Sequence, residues 1–149
     1  MILSIDPALT TGWALSPDIY GTWDIRDKKD ESWGMRLVRF VGKLKEVVYY
    51  NPEIDIIVYE RPAGAHSNAK ITQAKIIGQI EKFCAINGIQ YKGYSAKSIK
   101  KFAGHGNASK EKMIEFAQNS RTLQYQGNND NEVDALFLLL YAKKDLNYV

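Results

Sequence analysis

Ile2-Leu3-Ser4-Ile5-Asp6 opens the chain as a short apolar run that ends on a carboxylate and passes into Pro7-Ala8-Leu9-Thr10-Thr11-Gly12-Trp13-Ala14. The first five residues are expected to form a strand. The turn-rich connection then leads to a second apolar run that pairs antiparallel with it. Asp6 is therefore predicted at the carboxyl end of a central strand. Open sheets covered by helices hold their ligands beyond such strand ends, where loops diverge while the strands fix their first residues.

Working outward, three β-like runs are expected around Ile2 to Asp6, Gly12 to Leu15 and Tyr20 to Ile25, an antiparallel meander. Ser32 is a candidate helix cap. After it Trp33, Leu37, Phe40, Val41, Leu44, Val47 and Val48 recur at helical spacing, and the helix should end before Asn51-Pro52. Ile54 to Glu60 is nearly continuous in apolar character, as in a strand buried on both faces, and it also ends in an acid. A long helix from about Ala69 to Asn87 follows, stopped by Asn87-Gly88, then a strand around Ile89 to Tyr94. Ser95 to Phe102 and Ser109 to Gln118 read as shorter helices. In the last helix Val133, Leu136, Phe137, Leu140 and Tyr141 describe one buried face. The fold class expected is α/β, a mixed sheet of three antiparallel strands plus two parallel ones flanked by helices, in a single domain over residues 1–149.

A hydrophobic fraction of 45% and a charged fraction of 25% exclude disordered, collagen-like and disulfide-scaffold classes. No stretch of about 18 apolar residues exists to span a bilayer, and no export signal is recognised at the amino terminus. With Cys84 as its single cysteine the chain forms no internal disulfide, which suits a reducing, cytoplasmic setting; that thiol is expected to pack as a small hydrophobe. The net charge of +3 points weakly to polyanions. Its distribution says more: Lys92, Lys97, Lys100, Lys101, Lys110 and Lys112 stand against Glu111 alone.

Asp130 and Asp134, four residues apart at the start of the last helix, lie about 40° apart around its axis and share a face. Glu132 points to the other side and ranks below Asp130. Alone, acids in a first turn merely complement the helix dipole. Together with Asp6 and Glu60 they make three separate carboxylate sources, and acids gathered in one cleft need a cation to stay ionised. Magnesium fits such hard oxygen donors. Two ions are expected, with manganese as a substitute, and such a pair supports in-line phosphodiester displacement.

These residues in this order resemble the RuvC-like Holliday-junction resolvases of the RNase H-like superfamily over nearly the whole chain. Ser4-Ile5-Asp6-Pro7-Ala8-Leu9-Thr10-Thr11-Gly12-Trp13-Ala14 is similar to the family's first-strand motif, with Ala8 where glycine is usual. Ile57-Val58-Tyr59-Glu60 is similar to its second acidic strand, and the helix carrying Gln73, Ala74 and Gly78 to the one that follows. Tyr94 to Lys100 and Gly104 to Lys110 resemble its basic segment, and Asp134-Ala135-Leu136 its closing motif. The resemblance implies Asp6, Glu60, Asp130 and Asp134 as metal ligands, Lys110 as a catalytic lysine, and Lys100 and Lys110 as DNA contacts; Lys97 and Lys101 of the same basic segment are further candidates for holding DNA. It also implies a homodimer that cuts four-way junctions by paired nicks, in a bacterial or bacteriophage-infected cell, with a long helix at the interface.

Two departures stand out. The usual second aspartate of the closing motif is Asn131 here, and the aromatic that wedges into the junction is replaced by Ala63. A broader nuclease of forks and flaps, or an inactive scaffold for branched DNA, therefore stays open. His66 and His105 are assigned at most an incidental or DNA-facing part. Trp13, Trp23, Trp33 and Phe40 are expected in the core or on a sheet face, and Ile76, Ile77, Ile80 and Phe83 spread wider than one buried stripe.

Overall fold

The structure is a computed structural model that describes residues 1–64 and 66–148. Strands β1 (Ile2–Asp6), β2 (Thr10–Ser16) and β3 (Ile19–Asp24) form the meander, followed by helix α1 (Met35–Tyr50), β4 (Ile56–Arg61), α2 (Asn68–Asn87) and β5 (Gln90–Ser95). Three helices complete the described order: α3 (Ala96–Ala103), α4 (Lys110–Asn119) and α5 (Asp130–Asp145). The sheet runs β3-β2-β1-β4-β5. Its first three strands are antiparallel and β1, β4 and β5 are parallel, the mixed α/β sheet that the sequence predicts.

Strand alternation decides what each face carries. Leu3 and Ile5 of β1 and Ile57 and Tyr59 of β4 turn to one side, where they pack with Phe40 and Leu44 of α1 and Ile76, Ile80 and Phe83 of α2. Ile2 of β1 and Ile56 and Val58 of β4 turn to the other, against Val133, Leu136 and Leu138 of α5 and Met113 and Ala117 of α4. Further along the same parity lie Ser4 and Asp6 beyond Ile2, and Glu60 beyond Val58. Both acids are thus aimed at the α5 layer.

Local signals explain most boundaries. Ser67, Ser95 and Ser109 accept backbone N–H bonds as caps of α2, α3 and α4, and Gly88 closes α2 at φ 66°. Helix α1 departs from expectation: Gly34 occupies its cap position and no side chain caps it, while Ser32 contributes only its carbonyl, to Met35 N at 3.1 Å. Ion pairs anchor this entry instead, from Arg36 to Asp27 at 2.7 Å and from Arg39 to Glu31 at 2.6 Å.

Two further expectations need correction. Trp13 and Trp23 stack at 5.8 Å and Trp23 meets Phe40 edge-on, but Trp33 is only half-buried, with the Lys75 ammonium 4.1 Å and the Arg36 guanidinium 4.8 Å from its ring centre. Ile76, Ile77, Ile80 and Phe83 are all buried within the chain, packed in the core that α1 and α2 share with β1 and β4. They are not spare surface for a partner. Cys84 is buried with them. No helix among the described residues is long and apolar enough to cross a membrane.

Candidate active site

The end of β1 is built to hold Asp6 still. Thr11 Oγ1 donates to Ala8 O at 2.6 Å and closes the turn that follows it. Across the ladder Asp6 pairs with Gly12. A side chain at Gly12 would place its Cβ 1.9 Å from Asn131 O, so the missing side chain lets the first turn of α5 rest directly on the β2 backbone. The buried Ser4 Oγ donates to Ala135 O at 2.7 Å and ties the next turn of α5 to β1. Glycine and serine together set α5 against the strand ends, and Asp134 enters the space above Asp6.

The loop before α5 fixes its start. Asn129 Oδ1 accepts from Asn131 N and Glu132 N, at 2.9 and 3.1 Å. The buried Tyr125 hydroxyl accepts from Asn129 N and donates to Glu132 Oε1 at 2.8 Å. Glu132 is thereby turned away to a structural task. Asp130 faces the other way and lies 3.5 Å from Lys110 Nζ.

Asp6, Glu60, Asp130 and Asp134 line one cleft of about 670 Å³, together with Asn131 and Lys110. Burial pushes the Asp6 carboxyl well above its ordinary range, and the negative charges of Asp134, Glu60 and Asp130 push it further. The hydrogen bond between the Asp6 and Glu60 carboxyls acts in opposite directions on the two, raising Asp6 and working against the rise of Glu60. Glu60 is raised by burial too, against the opposing pull of Lys100, of Asp6 and of Gln73, whose Nε2 also donates to Glu60 O at 3.2 Å. Asp134 is pushed up to about 7 by burial and by Glu60 and Asp130, with Lys100 and Lys110 acting in the opposite direction.

Acids this crowded hold protons that a cation would displace. Their donor set is all carboxylate oxygen, which fits a hard divalent ion and excludes the sulfur and imidazole ligands of zinc sites. Among the described residues no three such side chains stand at the mutual spacing of a formed metal site.

The remaining candidates scatter. Lys100 is half-buried beside Glu60 and Asp134, whereas Lys97 and Lys101 are exposed on α3, away from the cleft lining. His105 Nδ1 accepts from Asn107 N at 3.1 Å and serves its own turn. His66 is exposed in a neighbouring hollow lined by Pro62, Ala63, Gly64 and Lys70. Four residues that line the cleft carry no sequence signal strong enough to single them out: Arg36 at the start of α1, and Asn68, Lys70 and Thr72 on the first turns of α2. A parity argument finds strand-end acids, but the approach of helix starts from the opposite layer is a tertiary fact.

Neither a protein-family model nor a curated protein matches the sequence. Solved structures do match the fold. Thermus thermophilus RuvC superposes with a TM-score of 0.73 at 18% identity, covering 97% of this chain and 96% of that one. T. thermophilus RuvC in complex with Holliday junction substrate gives 0.74 at 19% identity, covering 97% and 95%. The chain has a RuvC-like fold.

Proposed function

We propose that the protein is a metal-dependent endonuclease that resolves four-way DNA junctions by paired nicks, working as a homodimer on a two-fold substrate. The observation that carries this reading is the gathering of Asp6, Glu60, Asp130 and Asp134 from three elements into one cleft, where burial and mutual repulsion raise Asp6 and Asp134 above the ordinary carboxylate range. Such a site is poorly suited to plain DNA binding, because uncompensated acids repel phosphate. The RuvC-like fold is consistent with it.

Asp6, Glu60, Asp130 and Asp134 would hold the magnesium ions, with manganese as substitute. Bound there, the ions would supply an acidified water and neutralise charge on the reacting phosphate. The residues of the chain do the rest. The rigid strand ends keep the Asp6 and Glu60 carboxylates in place. Lys110, 79% exposed, is free to exchange Asp130 for a DNA phosphate. Lys100 offsets the negative charge on Glu60 and Asp134 from the side. Glu132 keeps Tyr125 and the α5 cap ordered.

A broader choice of branched DNA is favoured by one feature: Ala63 offers no aromatic to pry a junction open. Both readings are tested by incubating the protein with a synthetic four-way junction, a fork, an RNA–DNA hybrid and plain duplex, without metal and with magnesium or manganese. Paired symmetric nicks confined to the junction are expected. Cutting of forks as well would select the broader nuclease, and binding without cutting in either metal would select the scaffold.

A further inference from the structure

Arg36 is a cation that lines the cleft and pairs with an acid outside the carboxylate cluster. It enters from α1, on the face of the sheet opposite α5, and lines the same cleft as Asp6 and Glu60. The positive charges that act on Glu60 and Asp134 are those of Lys100 and Lys110. The ion pair that Arg36 makes is with Asp27, outside the acidic cluster.

Its side chain is nevertheless held firmly. Nε donates to Asp27 Oδ1 at 2.7 Å, the guanidinium carbon lies 4.8 Å from the centre of the Trp33 ring, and only 19% of the side chain is exposed. The other side of this brace is held as well, since Lys75 of α2 sits 4.1 Å from the same ring. Asp27 is pulled below its ordinary range by Arg36, as expected of a lasting pair. Both Nη groups, by contrast, have no hydrogen-bond acceptor among the described residues, and neither is sealed from solvent. A guanidinium whose Nε is tethered, which lies against an aromatic ring, and whose residue lines a cleft with both Nη groups free of acceptors has lost much of its rotamer freedom in advance. That arrangement suits bidentate binding of a phosphate.

Arg39, one turn further along α1, shows what a purely structural arginine does here. Its Nη2 donates to Glu31 Oε2 at 2.6 Å and its Nη1 to Arg26 O at 3.3 Å, so its forked end is occupied. It takes no part in the cleft lining.

We infer that Arg36 is a DNA-backbone clamp, braced by Asp27 and Trp33, which grips a phosphate of the bound strand on the α1–α2 wall of the cleft while Lys110 serves the opposite wall. A strand laid across the carboxyl ends of β1 and β4 would then be held on both sides of the carboxylates. This rests on the nuclease reading and adds to it a positioning contact that is independent of base sequence.

The test is the salt dependence of binding to a fluorescent four-way junction in EDTA, so that cleavage plays no part. For Arg36→Gln, affinity should fall about tenfold and the slope of log K against log salt should flatten by about 0.9, the loss of one phosphate contact. Both effects should be the same for junctions of unrelated sequence. Arg39→Gln removes an ion pair from the same helix and should leave slope and affinity unchanged. Should Arg36→Gln prove poorly folded, Asp27→Asn serves instead: it keeps the charge, frees the fork, and should weaken binding with the slope intact. Unchanged affinity and slope in Arg36→Gln, or equal losses in Arg39→Gln, would overturn the clamp while leaving the nuclease reading in place. No junction binding by the unaltered chain would overturn both.

Discussion

Asp134 reports the state of the site to the rest of the molecule. Its folded pKa of about 7 lies above the ordinary carboxylate value, so the protonated form is the one that folding favours. The associated stability is complete below about pH 4 and is lost as pH rises through 7, with an upper bound of roughly 4 kcal/mol. Asp6 shifts in the same direction. In EDTA, scanning calorimetry should therefore show the melting temperature falling between pH 5 and pH 8, and Asp134→Asn should flatten that fall. A melting temperature that stays level or rises over this range would contradict the assigned repulsion. The other residue-scale contrast lies on the first turn of α5. Asp130→Asn should strongly slow cleavage of a four-way junction, whereas Glu132→Gln should leave the rate within about twofold and cost about 1 kcal/mol of stability by weakening the Tyr125 bond. Equal losses of rate would mean that the division of labour between these acids is wrong.

At the scale of elements, α5 is the part whose placement matters most, and Gly12 is where it is set. The 1.9 Å approach of a Cβ at Gly12 to Asn131 O is to backbone, so no rotamer change relieves it. Gly12→Ala should cost about 3 kcal/mol in urea unfolding and should abolish cleavage even where the chain remains folded, because α5 must back away and take Asp134 with it. Retained activity would show that the helix tolerates the shift. Much of this element pattern was legible beforehand. The apolar runs Ile2 to Asp6 and Ile54 to Glu60 put two acids at buried strand ends, the four-residue spacing put Asp130 and Asp134 on one face, and Ser109 marked the start of α4. Ser32 misled because an ion-paired segment, Asp27 and Glu31 against Arg36 and Arg39, sets the start of α1 where a side-chain cap was expected. Trp33 misled for a related reason: its spacing matched the apolar stripe of α1, but Arg36 and Lys75 take up its ring. Neither Arg36 nor Lys70 could be read as part of the site, since their nearness to Asp6 depends on how two layers meet at the end of a sheet.

For the whole molecule, the sheet acts as a partition with a core on each side, and the candidate site lies where the partition ends. Carboxylates reach that edge from the strands and from α5, cations from α1, α3 and α4. Loading the site should therefore stabilise the entire fold. At pH 8 millimolar magnesium should raise the melting temperature relative to EDTA, and the gain should shrink towards pH 5 as protons compete for the same oxygens. An equal gain in Asp6→Asn would place the ion elsewhere. The central claim, that these acids cut DNA and do not merely sit near it, is tested most directly by one paired measurement. Unaltered and Asp6→Asn protein are assayed on the same labelled four-way junction, for binding in EDTA and for cleavage in magnesium. The account predicts that Asp6→Asn binds at least as tightly as the unaltered chain and yields no nicks; cleavage retained by Asp6→Asn would contradict it.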